Sequence, residues 1–241
     1  MASLTLFMAL VLAQPPADDA GWVDLFNGKN YAGFIFWIIA GPERSFDVKD
    51  GCMVFHPIPP GLTYSQDRVL QIDDQVHLSQ FPISGFAYTR KQYTNFDLKY
   101  EWKYERPTDL TDDSKFTGNS GAFVYLTRVL KSWPQSIEVD GKYTETGKLL
   151  AYGKAHVEAK DYPDARKAAM KKVGEWNETM IHCNRVNFLW LDIFDNYHAI
   201  SVVINGKLVS EGTTDQREGA IGFQAQGACI YYRNIKVREL K

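Results

Sequence analysis

Three carboxylates on strand-like segments are the residues of this sequence best suited to acid–base chemistry. Glu138 and Asp140 lie two residues apart in the segment Ser136–Asp140, so a strand there would point both side chains to one face. Glu101 occupies the polar face of a second alternating segment. If a concave sheet brings the three together, one carboxyl could protonate a leaving oxygen while another acts as base or nucleophile, as glycosidic cleavage requires. The alternative is a solvated strand face on which the acids have lysine partners.

Polar side chains near these segments are candidate ligand contacts. The turn Gly118–Gly121 carries Asn119 and Ser120, whose amide and hydroxyl groups suit sugar hydroxyls, although a tight turn into a strand explains it equally well. Gln224 ends an apolar strand, so its amide is a candidate contact. His156 could act as an acid or base, or it could be a surface histidine. The candidate ligand-binding set is Asn119, Ser120, Tyr125, His156 and Gln224.

The sequence lacks the spacings typical of metal and nucleophile sites. Its five histidines show no HxH or HExxH pattern and its three cysteines no CxxC, so we predict no metal site. The loop Asp109–Asp113 has carboxylates that could hold Ca²⁺, but it matches no EF-hand and a solvated loop explains it better. A GxSxG elbow and a phosphate-binding glycine loop are both absent. No cofactor is expected beyond this one calcium alternative.

The secondary-structure elements that position these candidate residues can be predicted from the alternation of apolar and polar residues. In Phe96–Tyr104 the apolar residues occupy the even positions and the charged residues the odd ones, which predicts a strand with one face on a core. Asn205-Gly206 between two apolar runs predicts a hairpin. Helical signal is confined to Asp164–Lys172. Two long irregular stretches, Pro57–Pro82 and Arg106–Gly118, are expected to line a site or to lack order. Further strands are predicted at Ala122–Thr127, Ser136–Asp140, Thr179–Cys183, His198–Ile204, Lys207–Val209, Ala220–Gln224 and Cys229–Glu239.

This pattern predicts an all-β protein: two antiparallel sheets packed face to face, with Phe96, Leu98, Tyr100 and Trp102 in the core between them. The 241 residues contain no internal repeat or linker, so a single domain is the economical interpretation. Aromatic residues, at 14%, exceed what a core usually needs, and sugar faces stack on such rings, although most of these rings are explained by core and strand positions. The net charge of −2 without a basic stripe argues against nucleic acid as a partner.

The N-terminus is typical of an export signal. Leu4–Ala13 is an apolar run of the right length, and it is too short to span a bilayer. We therefore predict a signal peptide at residues 1–13, a spacer at 14–20 and a jelly-roll, sugar-active domain at 21–241. The mature protein is expected to start near Gln14, to have no integral membrane segment, and to be secreted or periplasmic. The segment Met1–Ser3 carries no Lys or Arg, and the alternative is a buried strand. The odd cysteine count leaves at least one thiol unpaired, and one disulfide remains open after export.

An ordered set of short motifs runs along nearly the whole predicted mature chain, from about Gly21 to Leu240. The set is Trp22–Asn30 with Gly33-Phe34, Phe46–Gly51, Tyr93–Leu98 with Glu101-Trp102, Gly118–Gly121, Ser136–Val139, Gly174–Asn177, Asn205–Lys207, Gly219–Gln224 and Tyr232–Val237. In this order the motifs resemble the 3-keto-disaccharide hydrolase family. The resemblance implies a concanavalin-like jelly roll, export, and action on sugars oxidised at C3. The sequence departs from the family pattern in reading Glu138-Val139-Asp140 where Glu-Val-Gln is familiar, and in a longer segment between Trp176 and Asn205.

The function that the residues and the resemblance jointly favour is cleavage of 3-keto-glycosides or 3-keto-disaccharides. A carboxylate or histidine base could drive hydrolysis, or it could drive elimination, because the ketone acidifies the proton on C2. A non-catalytic carbohydrate-binding module of the same fold is the alternative, and a structural surface domain is a third hypothesis. Carboxylates buried together in a cleft would favour the enzyme. A shallow platform of exposed Trp and Tyr would favour the binding module, and a sheet face without a groove would favour the structural domain.

Overall fold

Strands build almost all of the regular structure in the computed structural model, which describes residues 20–39, 46–57, 67–70, 85–127, 134–185 and 197–241. The predicted signal peptide and most of the spacer lie outside these residues, as does most of the stretch Pro57–Pro82. The strands in chain order are β1 (Val23–Asp24), β2 (Phe34–Ile39), β3 (Phe46–Lys49), β4 (Cys52–Phe55), β5 (Asp67–Leu70), β6 (Gly85–Thr89), β7 (Phe96–Tyr104), β8 (Ser120–Leu126), β9 (Ser136–Asp140), β10 (Leu149–Tyr152), β11 (Val157–Asp161), β12 (Asn177–Arg185), β13 (His198–Ile204), β14 (Lys207–Thr214), β15 (Ala220–Ala225) and β16 (Ile230–Glu239).

The described strands form two antiparallel sheets. The larger has nine strands in the order β11-β14-β13-β12-β7-β16-β4-β3, with β1 paired to β16. The smaller has seven in the order β10-β9-β8-β15-β6-β2-β5. Sequence neighbours often lie far apart, as between β7 and β8, which belong to different sheets. The architecture is the predicted two-sheet jelly-roll sandwich.

The alternation along β7 forms the nine-stranded sheet's side of the core. Phe96, Leu98, Tyr100 and Trp102 are at most 5% exposed and pack in one hydrophobic cluster with residues of the other sheet, which confirms the prediction for these four. The indole Nε1 of Trp102 donates to Thr179 Oγ1 at 2.9 Å, so even the polar edge of this buried ring has a partner. The odd residues of β7 face away from the core.

The one α-helix of the described residues, α1 (Pro163–Ala169), is shorter than the predicted Asp164–Lys172. It begins with proline, whose fixed φ suits a first helical position. It ends because Met170 adopts extended dihedral angles, φ −63° and ψ 133°. No helix among the described residues has the length and apolar character needed to cross a membrane.

Other local predictions are confirmed. The Asn205-Gly206 pair joins β13 to β14 with positive φ at both residues, 47° and 80°, as tight hairpin turns require. All three cysteines are free thiols, and Cys52 and Cys183 are buried.

Candidate active site

Glu138 and Asp140 lie together on the outer face of the seven-stranded sheet. Their strand β9 turns Ile137 and Val139 into the core between the sheets, so the two acids between and beyond them point outward. Glu138 is nevertheless only 3% exposed and Asp140 only 7%. This pair is brought together as the sequence predicted.

Gly121 on the neighbouring strand β8 makes room for the Glu138 side chain. In the strand register Gly121 lies opposite Asp140, and Phe123 lies opposite Glu138. A Cβ atom at position 121 would lie 2.2 Å from Glu138 Oε1 and 3.0 Å from its Cδ. The carboxyl group of Glu138 therefore lies over Gly121, in space that any other residue would fill.

An apolar surface continues this face away from the acids. Its buried members form a cluster separate from the main core, and Tyr152 of β10 packs against it. The cluster consists of Ile35, Phe86, Tyr88, Phe123, Leu126 and Ala220. Carboxyl groups beside such a surface lose hydration, and this penalises their charged forms.

The pKa of Glu138 is raised to about 8. Burial is the main cause, a hydrogen bond from the Tyr152 hydroxyl opposes it, and the nearby charge of Asp140 adds to it. At neutral pH this carboxyl group holds its proton and can donate it.

The pKa of Asp140 is also raised, first by burial, while the hydrogen bond from the Lys142 backbone N–H opposes the shift. That N–H lies 2.8 Å from Asp140 Oδ1. The side chains of Lys142 and Lys148 hydrogen-bond to Glu145. Within the described residues no cation forms an ion pair with Glu138 or Asp140.

Two amide oxygens near Gly121 have no hydrogen-bond partner. Gln224 lies opposite Gly121 on the other side of β8 and is 3% exposed, and its Oε1 is buried and unsatisfied. Asn119, two residues before Gly121, has a buried and unsatisfied Oδ1. Buried polar atoms without partners are rare and costly, so both oxygens are suited to accept hydrogen bonds from a ligand.

Glu101 does not join this group, and the prediction that the three acids converge is wrong. It projects from β7 on the outer face of the nine-stranded sheet, the opposite side of the sandwich from Glu138. Arg233 Nη2 lies 2.7 Å from its Oε2, and Asn234 Nδ2 lies 2.6 Å from its Oε1. Burial would raise the pKa of Glu101, but these hydrogen bonds and the Arg233 charge outweigh it and lower the pKa. Alternation showed only that Glu101 faces away from the core, not which sheet it belongs to.

Ser120 and Tyr125 are predicted ligand contacts, but both side chains point into the core between the sheets and not toward the acids. Ser120 Oγ donates to the Gln224 backbone oxygen at 2.6 Å and lies 2.8 Å from the Tyr232 hydroxyl of the other sheet. Tyr125 is fully buried, and its hydroxyl lies 2.8 Å from His198 Nδ1. Its φ of +54° belongs to a register irregularity between β8 and β15, which turns the ring inward out of the simple alternation.

His156 and the Asp109–Asp113 loop also lie apart from the acids. His156 is exposed beside β11, and its Nε2 lies 3.8 Å from Glu158. Asp113 is held by Arg106 at 2.8 Å and by the Val173 N–H at 2.9 Å. In the part of the chain that the structure describes, no group of three or more His, Cys, Asp or Glu side chains could hold a metal ion.

Two contributors to the site were missed at the level of sequence. The sequence pattern places Gly121 in a turn, although a glycine inside a strand often marks a close approach by a neighbouring group. Tyr152 lies opposite Ser136 and reaches Glu138 from the adjacent strand β10. No sequence signal pairs β10 with β9.

A cleft of about 660 Å³ lies at one end of the sandwich, and neither Glu138 nor Asp140 lines it. The loop from Glu105 to Gly118 forms one wall, and Gly227–Cys229 form the other. The long loop Arg106–Gly118 is ordered and lines a cleft, which is compatible with the first of the two alternatives that its length left open. Among the described residues the exposed large apolar side chains are Val23, Leu150 and Tyr197, which do not include a tryptophan.

Comparison with known proteins agrees with this fold. Residues 21–238 match the model of a family described as the 3-keto-alpha-glucoside-1,2-lyase-like domain. A 3-keto-disaccharide hydrolase from Bacteroides thetaiotaomicron is 24% identical, over 94% of this chain and 81% of that protein. Two crystal structures of candidate glycosyl hydrolases from Parabacteroides distasonis are similar. One has a TM-score of 0.55 at 19% identity, covering 92% of this chain and 94% of the other. The second has a TM-score of 0.53 at 22% identity, covering 91% and 99%.

Proposed function

The chain belongs to the family of 3-keto-alpha-glucoside-1,2-lyase-like domains, and we propose that it is an extracytoplasmic enzyme that cleaves the glycosidic bond of 3-keto-glycosides by acid–base chemistry. The observation that carries this proposal is the burial of two carboxyl groups side by side on one strand face, with Glu138 3% exposed and Asp140 7% exposed, and the raised pKa of Glu138 supports it. Burial raises the pKa of both acids, but a backbone N–H and two lysine charges oppose the shift only at Asp140, and such differences between two nearby acids are the usual basis of acid and base roles.

In this proposal Glu138 is the general acid. Its proton goes to the glycosidic oxygen as the bond from that oxygen to C1 breaks, so the leaving group departs as a neutral alcohol. Its pKa of about 8 keeps the proton available at neutral pH and places it near the range in which transfer is efficient. The Tyr152 hydroxyl that hydrogen-bonds to the carboxyl group orients it.

Asp140 is the proposed base. Its pKa is raised, but the Lys142 N–H supports the ionised form. In the elimination route Asp140 removes the C2 proton that the ketone acidifies, the C–H electron pair forms the C1–C2 double bond, and water adds afterwards. In the hydrolytic route Asp140 takes a proton from the attacking water. Gln224 Oε1, buried and unsatisfied on the same face, would accept a hydrogen bond from a sugar hydroxyl.

A binding module of the same fold is the second candidate. It would need an aromatic platform facing solvent, and the exposed large apolar residues of the described chain do not form one with a tryptophan. Two carboxyl groups kept almost out of water are costly in a protein that only binds, and this favours the enzyme.

The test is Glu138→Gln, with Glu101→Gln as the matched control on the opposite face. Glutamine keeps the size and hydrogen bonding of the protonated acid but cannot give up a proton to the leaving oxygen. We expect cleavage of a 3-keto-glucoside to fall by about 10²–10⁴-fold in Glu138→Gln and to stay within about twofold in Glu101→Gln, whose ion pair is a surface interaction.

Equal rates for Glu138→Gln and the parent would refute the acid role. A parent protein that binds sugars but cleaves no 3-keto-glycoside would make the binding module the better function. Circular dichroism and thermal melts of both variants exclude unfolding as the cause of any loss.

Export is proposed from the apolar run Leu4–Ala13 followed by the polar spacer. N-terminal sequencing of the protein from its native host should find a start near Gln14. An intact Met1 on the exported protein would contradict this.

A further inference from the structure

We propose that Gln224 is a positioning residue for the general acid. Before the substrate binds, its side-chain oxygen accepts a hydrogen bond from the protonated carboxyl group of Glu138, which keeps the acid protonated and orients its proton across Gly121. The inference rests on the proposed function, in which Glu138 is the acid, and adds to it the group that holds the proton. The two side chains belong to strands that do not pair with each other, β15 and β9, and β8 lies between them.

The strand register brings the two side chains together over Gly121. Gln224 pairs with Gly121, and it points outward because its neighbours Phe223 and Ala225 belong to the core. Paired residues have Cβ atoms about 4.5–5.5 Å apart. A Cβ atom at position 121 would lie 2.2 Å from Glu138 Oε1, so this oxygen nearly occupies the place of the missing side chain. It is therefore within reach of the Gln224 amide group, which extends beyond its own Cβ by a further methylene group.

The side-chain oxygen of Gln224 is an acceptor without a donor. The residue is 3% exposed, and its Oε1 is buried and has no hydrogen-bond partner. An amide oxygen in this state is costly unless a nearby group donates to it. The other outward residues of β8 and β15 carry no side-chain donor; they are Gly121, Phe123, Leu126, Ala220 and Gly222. The carboxyl proton of Glu138 is the donor that the register places beside this oxygen.

An amide oxygen distinguishes the two protonation states of a carboxyl group. The protonated form donates to it, whereas the ionised form has only acceptor oxygens, which the amide oxygen repels. Of the other groups that face Glu138, the Tyr152 hydroxyl on β10 favours the ionised form and the charge of Asp140 favours the protonated form. The remaining titratable groups near the pair lie behind the sheet or beside Asp140, and they are Tyr104, Tyr232, Lys142, Glu145 and Lys148. Burial favours the protonated form without orienting the proton, and Gln224 adds the orientation.

Substrate binding exchanges one acceptor for another. The glycosidic oxygen takes the place of Gln224 Oε1 beside the acid. The O–H bond of Glu138 then breaks with its electron pair left on the carboxylate, and the proton goes to the glycosidic oxygen as the bond from that oxygen to C1 breaks. Gln224 is now free to accept a hydrogen bond from a sugar hydroxyl. A proton that is already oriented needs little reorganisation at the moment of transfer.

The experiment removes the acceptor and follows the protonation of Glu138 directly. Gln224→Met keeps the length of the side chain without the amide oxygen, and Gln224→Glu restores acceptor oxygens. Gln216→Met is the matched control, because Gln216 is 8% exposed and its amide atoms bond at 2.7 Å to Gln135 and to Asp215. Carbon-13 NMR of labelled glutamate carboxyl groups is recorded between pH 5 and pH 10, and Glu138→Gln identifies the signal of Glu138. The pH dependence of kcat/KM is measured on the methyl glycoside of 3-ketoglucose.

For Gln224→Met we expect the titration midpoint of Glu138 to fall by about one pH unit, as the loss of one hydrogen bond to the protonated form would cause. The alkaline limb of kcat/KM should fall with it, because less of the acid is protonated at a given pH. Gln216→Met should match the parent. Gln224→Glu should keep the midpoint at or above that of the parent, because its carboxylate also accepts a hydrogen bond and its charge opposes ionisation.

An unchanged midpoint in Gln224→Met would overturn the inference. A higher KM with unchanged pH dependence would also overturn it, since Gln224 would then be a substrate contact alone. If thermal melting shows that Gln224→Met is unfolded, Gln224→Glu decides, and a midpoint below that of the parent refutes the role. If the parent cleaves no 3-keto-glycoside, the proposed function fails, but the titration of Glu138 needs no substrate and still decides whether Gln224 holds its proton.

Discussion

Each outer face of the sandwich carries two acids on one strand. The two pairs differ in their ion pairing and in the direction of their pKa shifts. On the nine-stranded sheet, Asp97 and Glu101 of β7 are both ion-paired, and the pKa of each is lowered. On the seven-stranded sheet, Glu138 and Asp140 of β9 have no ion-pair partner among the described residues, and the pKa of each is raised.

Burial does not explain the difference, because Asp97 is as buried as Glu138, at 3% exposure. Burial would raise the pKa of Asp97 as well, but His182 Nδ1 lies 2.7 Å from its Oδ1 and Arg238 Nη2 lies 2.6 Å from its Oδ2, and these contacts outweigh burial. Glu138 has a tyrosine hydroxyl in place of a cation. The two faces therefore differ in whether a cation contacts the buried acid. A buried acid that lacks a cationic partner is the better candidate for acid–base catalysis.

Replacing one acid on each face by its amide should change the pH dependence of stability in opposite directions. Asp97→Asn leaves Arg238 without its counter-charge, so we expect a loss of about 3 kcal/mol in the free energy of unfolding at pH 7. Because the folded-state pKa of Asp97 is lowered, the parent's advantage exists above the ordinary value of 3.8 and disappears as the pH falls through the folded-state pKa.

Glu138→Gln should show the opposite trend. The folded-state pKa is about 8 against an ordinary value of 4.5, so folding keeps a proton that the unfolded chain loses between these values. The parent therefore loses about 1.4 kcal/mol of stability per pH unit over this interval, and the variant does not. Between pH 4 and pH 7, the free energy of unfolding of Glu138→Gln should therefore rise by on the order of 3 kcal/mol relative to that of the parent. Urea unfolding of the parent and both variants from pH 3 to 8 measures this, and parallel curves for the two variants would contradict the contrast between the faces.

Much of the fold could be predicted because alternation depends on burial alone. The core face of β7 and the outward direction of Glu138 and Asp140 both follow from period 2. The same rule, applied from Ala122 backwards, would have turned Ser120 inward. What alternation cannot give is the sheet to which a strand belongs, and so Glu101 was placed with Glu138 although the whole sandwich separates them.

The remaining parts of the site depend on pairings between strands. Tyr152 reaches Glu138 because β10 pairs with β9, and Gln224 lies across Gly121 because β15 pairs with β8. The inward turn of Tyr125 depends on a local irregularity of the backbone. These are non-local outcomes of packing, and a single sequence carries no direct signal for them.

A smaller effect is expected from the space that Gly121 leaves for the Glu138 carboxyl group. Gly121 does not have positive φ, so Gly121→Ala is compatible with the strand backbone, but the added methyl group would lie 2.2 Å from Glu138 Oε1. We expect the methyl group to displace the Glu138 carboxyl group by up to about one ångström. Because a displacement of this size disturbs proton transfer, kcat should fall by about tenfold. Steady-state kinetics on the methyl glycoside of 3-ketoglucose measures it.

A double-mutant cycle decides whether this loss arises at Glu138. If Gly121→Ala acts by moving the acid, it can remove nothing further once the acid is gone, so the double variant Gly121→Ala with Glu138→Gln should be no slower than Glu138→Gln alone. If the methyl group instead blocks the sugar, the two losses should multiply and KM should rise in both backgrounds. Multiplicative losses would show that Gly121 shapes the surface that binds the sugar, and that the position of the Glu138 carboxyl group does not affect the rate. Non-additive losses with unchanged KM would show that the rate depends on the space that Gly121 leaves for the carboxyl group of Glu138, a buried acid that has no ion-pair partner among the described residues.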